Sequence, residues 1–293
     1  MINLFKPLFS RAILLAAFAF CILCKSSFSQ DLPVGLIHPD SLVTVYFPGH
    51  LPVHFRLIPR GEFLMGSEPE HKMGPAGQEH ERDESPVHSV RISQDFYLGV
   101  FEVTQGQWLS VMGNNPAVFQ QIENYQQELE DPLLRPVESV SWDDCQEFIE
   151  RLNQLGIGRF RLPTEAEWEY GCRAGTTTRF YWGNDPRKYI INQYAWANSR
   201  SFASTHPVGQ KKPNPWGLFD MSGNVWEWCS DWYAPYPENH QIDPKGPENG
   251  NRKVFRGGSW FDFPESHRSA NRHAHGTKQG YTAIGLRLVL EVD

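Results

Sequence analysis

Cysteine is scarce: the 293 residues hold five, and only Cys145, Cys172 and Cys229 lie beyond the first thirty positions. Three thiols allow at most one internal disulfide, so a cysteine-stapled scaffold is excluded and the core must hold the fold. Basic charge is short too, with 27 Lys and Arg against 34 Asp and Glu. That balance gives no electrostatic footprint for nucleic acid or anionic lipid. No apolar run reaches the roughly 20 residues of a bilayer-spanning helix. Internal repeats and low-complexity tracts are missing as well.

The longest apolar run, Ala12 to Leu23, follows Lys6 and Arg11 and precedes the small polar patch KSSFSQ. This is the layout of a secretory signal peptide over residues 1–29, with Ser27 and Ser29 ahead of a cleavage point at Gln30. Neither Cys21 nor Cys24 has the small residue expected just before a lipidated cysteine, so the leader reads as cleaved rather than lipidated. Losing Lys6, Arg11 and Lys25 takes the formal net charge from −7 to −10. The expectation is an exported chain, periplasmic or secreted, with no transmembrane anchor after maturation.

What the chain does have is glycine (24), proline (22) and ten Trp. Such a mixture favours irregular backbone clamped by large rings over long regular elements. Three helix starts carry a capping residue with a carboxylate or amide three positions on: Thr104 with Gln107, Ser141 with Asp144, and Thr164 with Glu167. The second, SWDDCQEFIERLNQLG, repeats Trp142, Cys145, Phe148, Ile149, Leu152 and Leu155 on one face, which turns Cys145 toward a core. Cys172 lies four residues after Trp168 on the third helix and reads as a buried thiol in the same way. Partial alternation marks HFRLIPRGEFLMGS, HSVRISQDFYLGVFEV and AIGLRLVLEV as strand-bearing. The reading is one α+β domain over residues 53–293, preceded by a poorly patterned lead-in at 30–52.

The ordered phrases IPRGEFLMGS, PVHSV, FYLGVFEVTQGQW, PVESVSWDDCQEF, RLPTEAEWEYGCRAG, YWGN, PNPWGLFDMSGNVWEWCSDWY, RGGSW and IGLRL resemble the formylglycine-generating enzyme, or sulfatase-modifying factor, family. The resemblance runs from about residue 53 to 292. It implies the family's variant of the C-type-lectin-like fold, low in regular secondary structure. It also implies that Cys145 and Cys172 each match one half of a family disulfide, with Arg272 and Leu288 standing in the partners' places.

DMSGNVWEW brackets a Ser222-Gly223 turn with two carboxylates, and carboxylates with main-chain carbonyls suit a hard cation such as calcium. The resemblance assigns this phrase a calcium site, with side chains from Asp220 and Glu227 and carbonyls from Gly223 and Val225. The plainer reading has Asp220 capping a turn and Glu227 paired with an arginine. A second family calcium site would use Asn198 and Ser199, but the acidic loop that completes it is shortened here to RSFASTHPVG.

VFRGGSWFDFPESHRSANRHAHG (254–276) reads as loop-like. In active members of the family the stretch after RGGS carries two cysteines that bind copper(I) and activate oxygen to oxidise a sulfatase cysteine. Asp262 and His267 fill those two places, and Ala283 stands where the family places an Asn. Ser259 and Trp226 match active-site positions. Copper(I) is soft and prefers sulfur, so a carboxylate and an imidazole do not reproduce the site. Two readings of this cluster stand. Asp262, His267, His273 and His275 could rebuild a site for a borderline metal such as zinc or iron. Alternatively Arg268 and Arg272 brace the loop through buried carboxylates while the histidines are solvated. Three functions follow: a binding or assembly protein with a protein or peptide partner, a maturation enzyme or oxidase with a substituted site, and a sulfatase activator.

Overall fold

The computed structural model describes residues 41–68, 83–120, 130–197 and 203–291. In chain order the strands are β1 (Leu42–Phe47), β2 (Leu51–Ile58), β3 (Gly61–Met65), β4 (His88–Ile92), β5 (Phe96–Gly99), β6 (Phe160–Arg161), β7 (Trp226–Trp232), β8 (Gln241–Ile242), β9 (Lys253–Arg256), β10 (Arg272–His275), β11 (Ile284–Gly285) and β12 (Val289–Leu290). The helices are α1 (Gln105–Met112), α2 (Trp142–Gln154), α3 (Glu165–Arg173) and the single turn α4 (Lys188–Ile191). The strands form three small sheets, in the orders β1-β2-β5-β12-β6, β10-β9-β7-β11 and β3-β4-β8.

All three capping boxes close: Thr104, Ser141 and Thr164 each accept the N3 amide, and Gln107, Asp144 and Glu167 each take the cap N–H in return. Each box satisfies two otherwise orphaned amides, which fixes where a short helix begins. On α2, Cys145, Phe148, Ile149 and Leu152 are buried as the spacing requires. Leu155, counted on that face, is instead the helix C-cap and is 47% exposed. Phe148 stacks on Trp108 of α1 with ring centroids 4.8 Å apart. These two helices close one end of the main core, where each fully buried aliphatic or aromatic side chain contributes roughly 1.5–3 kcal/mol.

Two departures from the sequence reading concern strands, and one segment read as strand-bearing divides in two. β1 lies inside the stretch read as a lead-in and pairs antiparallel with β2, Thr44 opposite His54. The segment read as loop-like contributes the end of β9 and all of β10, paired with Arg272 opposite Arg256. AIGLRLVLEV is two short strands, β11 and β12, in different sheets. Its arginine sits in the crossover between them. β9 and β11 are buried throughout and so show no alternation, β10 and β12 are too short for a period to show, and β1 alternates exposed with half-buried residues before buried Phe47. No helix among the described residues is long and apolar enough to cross a membrane. The leader at 1–29 lies outside the described residues.

Candidate functional site

The loop after β9 is built backward from its glycines. Gly257 and Gly258 both have positive φ (109° and 77°), and a Cβ on Gly258 would stand 3.1 Å from the His267 ring. Only glycine allows the chain to turn that tightly against the imidazole. The turn places Ser259 in the interior, fully buried. Asp262 then folds back over it: its Oδ2 accepts from the Trp226 indole N–H (2.8 Å), the Ser259 N–H (3.0 Å) and the Ser259 hydroxyl (2.5 Å). Because Asp262 points inward, its neighbours are pushed out. Phe261 and Phe263 are 64% and 70% exposed.

His267 is fully buried, which corrects the reading of it as solvated; that reading fits only His275. Its Nδ1 faces the Phe263 carbonyl at 2.9 Å and its Nε2 the Ser259 carbonyl at 3.2 Å. Burial pushes its pKa down, opposed by the nearby Asp262 carboxylate. His273 lies half-buried with its ring against Trp226 and Phe255. His275 is exposed and meets the Tyr281 hydroxyl. Ala283 accepts the Trp226 backbone N–H at 2.8 Å.

Folding therefore brings Ser259, Trp226, Asp262 and His267 together, but not as ligands. Both His267 nitrogens face carbonyl oxygens, so the imidazole presents no lone pair to a shared ion, and Asp262, whose Oδ2 already takes three donors, has only its Oδ1 left to offer. Among the described residues no group of three His, Cys, Asp or Glu is disposed to hold a metal. The rebuilt Asp262, His267 and His273 site does not fit a transition metal, and copper(I) lacks thiolates here altogether. Cys145, Cys172 and Cys229 are free and fully buried. Burial raises the pKa of each, that of Cys172 to about 12.

The arginines do brace this region. Arg268 pairs with buried Glu84 at 2.5 Å, and Arg272 grips Glu165 through two bonds of 2.7 Å. Arg256 joins Glu165 to Glu169, and Glu169 also holds Arg173.

Beside this network lies a nest of carboxylates that sequence reasoning only half found. Glu227 on β7 is held by Arg287, Nη2 to Oε1 at 2.6 Å and Nε to Oε2 at 2.9 Å, with the Trp168 indole adding 2.7 Å to Oε2. Glu102 accepts from Asn224 Nδ2 (2.8 Å) and the Val225 N–H (3.0 Å). Asp220 accepts the Gly209 N–H through Oδ2, while its buried Oδ1 has no hydrogen-bond partner among the described residues. Burial, followed by mutual repulsion, raises Glu102 well above the carboxylate range, and burial lifts Asp220 to about 6. Gly223 turns at φ 87°, where a Cβ would run into the Trp196 carbonyl. Three carboxylates thus share one guanidinium. That excess fits a cation in charge, with Asp220 Oδ1 the free side-chain oxygen. Glu102 and Arg287 were missed, although each is a lone charge inside an apolar run, in GVFEV and IGLRLVL. Asn198 and Ser199 lie outside the described residues.

Residues 51–292 match the family model of the sulfatase-modifying factor enzyme 1-like domain. The chaperone protein LppX of Paenibacillus barcinonensis is 33% identical over 57% of this chain and 69% of its own length. The formylglycine-generating enzyme of Streptomyces coelicolor is 33% identical over 64% of this chain, which spans 61% of that enzyme. Among solved structures, Treponema denticola variable protein 1 superposes with a TM-score of 0.75 at 27% identity, covering 86% of this chain and 99% of that one. With nearly its whole α+β body covered by one family model, the chain belongs to the sulfatase-modifying factor enzyme 1-like family and carries that family's variant of the C-type-lectin-like fold.

Proposed function

We propose that this is an exported binding or assembly protein in which the place of the copper centre has become a structural clasp. The observation that carries the reading is the Asp262 fold-back. It ties the former metal position shut with Trp226 and Ser259 and holds Phe261 and Phe263 out in water. Exposed aromatic pairs on a braced loop are suited to contact another polypeptide. Similarity to a chaperone protein agrees with that role. Calcium at Asp220, with the Gly223 and Val225 carbonyls, would be structural, and Glu227, whose oxygens are taken by Arg287 and Trp168, would supply charge rather than a ligand. The retained Ser259 and Trp226 favour a second reading, a maturation enzyme or oxidase working without copper.

Metal analysis of protein purified without added metal separates these two readings, and a peptide assay tests for formylglycine-generating activity. The purified chain is incubated with a sulfatase-derived cysteine peptide, with and without copper, and the peptide is followed by mass spectrometry. No conversion to formylglycine is expected, whereas robust turnover would overturn the proposal. The partner is sought with a photo-crosslinking phenylalanine at position 261 in the exporting cell. A discrete adduct that disappears in Phe263→Ser is expected. N-terminal sequencing of the exported chain should find it starting near Gln30.

A further inference from the structure

A separate cavity of about 270 Å³ lies between the start of α3 and the Pro244–Pro247 segment, with Asp231 in its wall. Asp231 is the last residue but one of β7 and is only 4% exposed. Its Oδ2 is spent, accepting the Glu165 N–H at 3.0 Å and the Ser230 hydroxyl at 2.9 Å. Its Oδ1 accepts no hydrogen bond among the described residues. That oxygen faces the cavity wall, since a Cβ on Gly246 would lie 3.5 Å from it.

The charges around Asp231 say what is missing. Burial and the Glu165 and Glu167 carboxylates of α3 push its pKa up to about 7. Lys253 on β9 is the cation whose field reaches it, yet its ammonium donates to the Ser230 carbonyl at 2.6 Å and lies against the Trp142 and Trp232 rings. Arg256 and Arg272 are committed to Glu165. On the other walls, His88 bonds the Pro86 carbonyl, the Tyr236 hydroxyl donates to Glu165, and Lys245 stands exposed at the rim. A buried carboxylate with a free oxygen, short of a local counter-charge, is a binding feature rather than a stabilising one. Apart from Gln241, the rest of the wall, including Met65, Pro235, Pro244 and Pro247, is apolar and suited to a methylene stem.

We propose that this cavity binds a single ammonium or guanidinium group on an aliphatic stem, such as a lysine or arginine side chain, with Asp231 Oδ1 as its counter-charge. The volume admits one such side chain and not a larger ligand, since drug-sized sites begin near 300 Å³. The site shares no residue with the Ser259–His267 loop, so it stands whether or not the clasp reading holds.

The test is a titration of the full mature chain with Nα-acetyl-lysine N-methylamide, read by NMR at the Gly246 amide and the Trp232 indole. The uncharged norleucine analogue is the control. Saturable shifts are expected with the lysine probe and none with norleucine. Asp231→Asn, which keeps the shape, should weaken binding at least tenfold. Lys245→Met, which removes the competing rim cation, should tighten it several-fold. Moving from pH 8 to pH 5.5 should also cost at least tenfold as Asp231 protonates. Absence of saturable shifts, equal binding of norleucine, or unchanged affinity in Asp231→Asn in a variant with native-like spectra would each overturn the proposal.

Discussion

Arg287 and Glu227 meet through two hydrogen bonds of 2.6 and 2.9 Å with both side chains wholly removed from water. Arg287 also donates to the Gly99 and Phe219 carbonyls at 2.8 Å each, so one guanidinium joins β5, β7 and the segment before the Ser222-Gly223 turn. Replacing it with leucine would strand Glu227 beside Glu102 and Asp220 with no cation. Breaking a buried pair from one side costs about 3–5 kcal/mol. Arg287→Leu is expected to lose that much in urea denaturation or to fail to accumulate as folded protein.

The same charge excess makes calcium testable. If the cation binds only the folded chain, calcium at a hundredfold excess over its Kd adds about 2.7 kcal/mol. On a chain of this size that is a rise of several degrees in Tm. Asp220→Ala should abolish the calcium-dependent part while leaving Glu227 clamped. Identical Tm in calcium and in chelator would remove calcium from the account.

Asp231 sets a pH dependence with a definite sign. Its folded pKa of about 7 stands above the ordinary aspartate value of 3.8. The folded chain therefore holds this proton more tightly than the unfolded one. The stability it contributes is complete below about pH 4 and is lost as pH rises through 7. Between pH 5 and pH 8 the wild-type Tm should fall further than that of Asp231→Asn, measured by scanning calorimetry without added amine. Parallel profiles would show that the carboxyl is not perturbed.

The thiols give a simple measure of burial. Cys145, Cys172 and Cys229 are each 0% exposed with raised pKa values. The thiolate is the reactive form. Iodoacetamide at pH 8 should leave these three peptides unmodified in the native protein and alkylate all three in denaturant. Native labelling of any one would mean that its element opens readily.

Asp262→Cys combined with His267→Cys tests the clasp from the opposite side. The exchange removes the acceptor for Trp226 and Ser259 and frees two carbonyls that now face the imidazole. We expect a loss of about 1–3 kcal/mol, the cost of unpaired buried polar groups, together with a gain of copper(I) binding. Chemical denaturation and a copper(I) competition assay read the two effects separately.

Local chemistry was legible along the chain. A capping box needs only four consecutive residues, so Thr104, Ser141 and Thr164 announced their helices, and the α2 face followed from a 3.6-residue period. The identity of residues 262 and 267 was equally plain, and it was enough to remove the thiolate pair. Pairings distant along the chain left no such trace. Glu227 finds Arg287 sixty residues later, and Arg268 finds Glu84 across 184. Burial on both faces removed any alternation from β9 and four residues were too few to show one in β10, whereas the alternation of β1 was present in LVTVYF but its pairing with β2 was not. Whether Asp262 and His267 would face an ion or bond their own loop depends on where backbone carbonyls and an indole N–H arrive in space. Folding alone brings those groups within hydrogen-bond reach, and that contact turned two apparent ligands into a clasp.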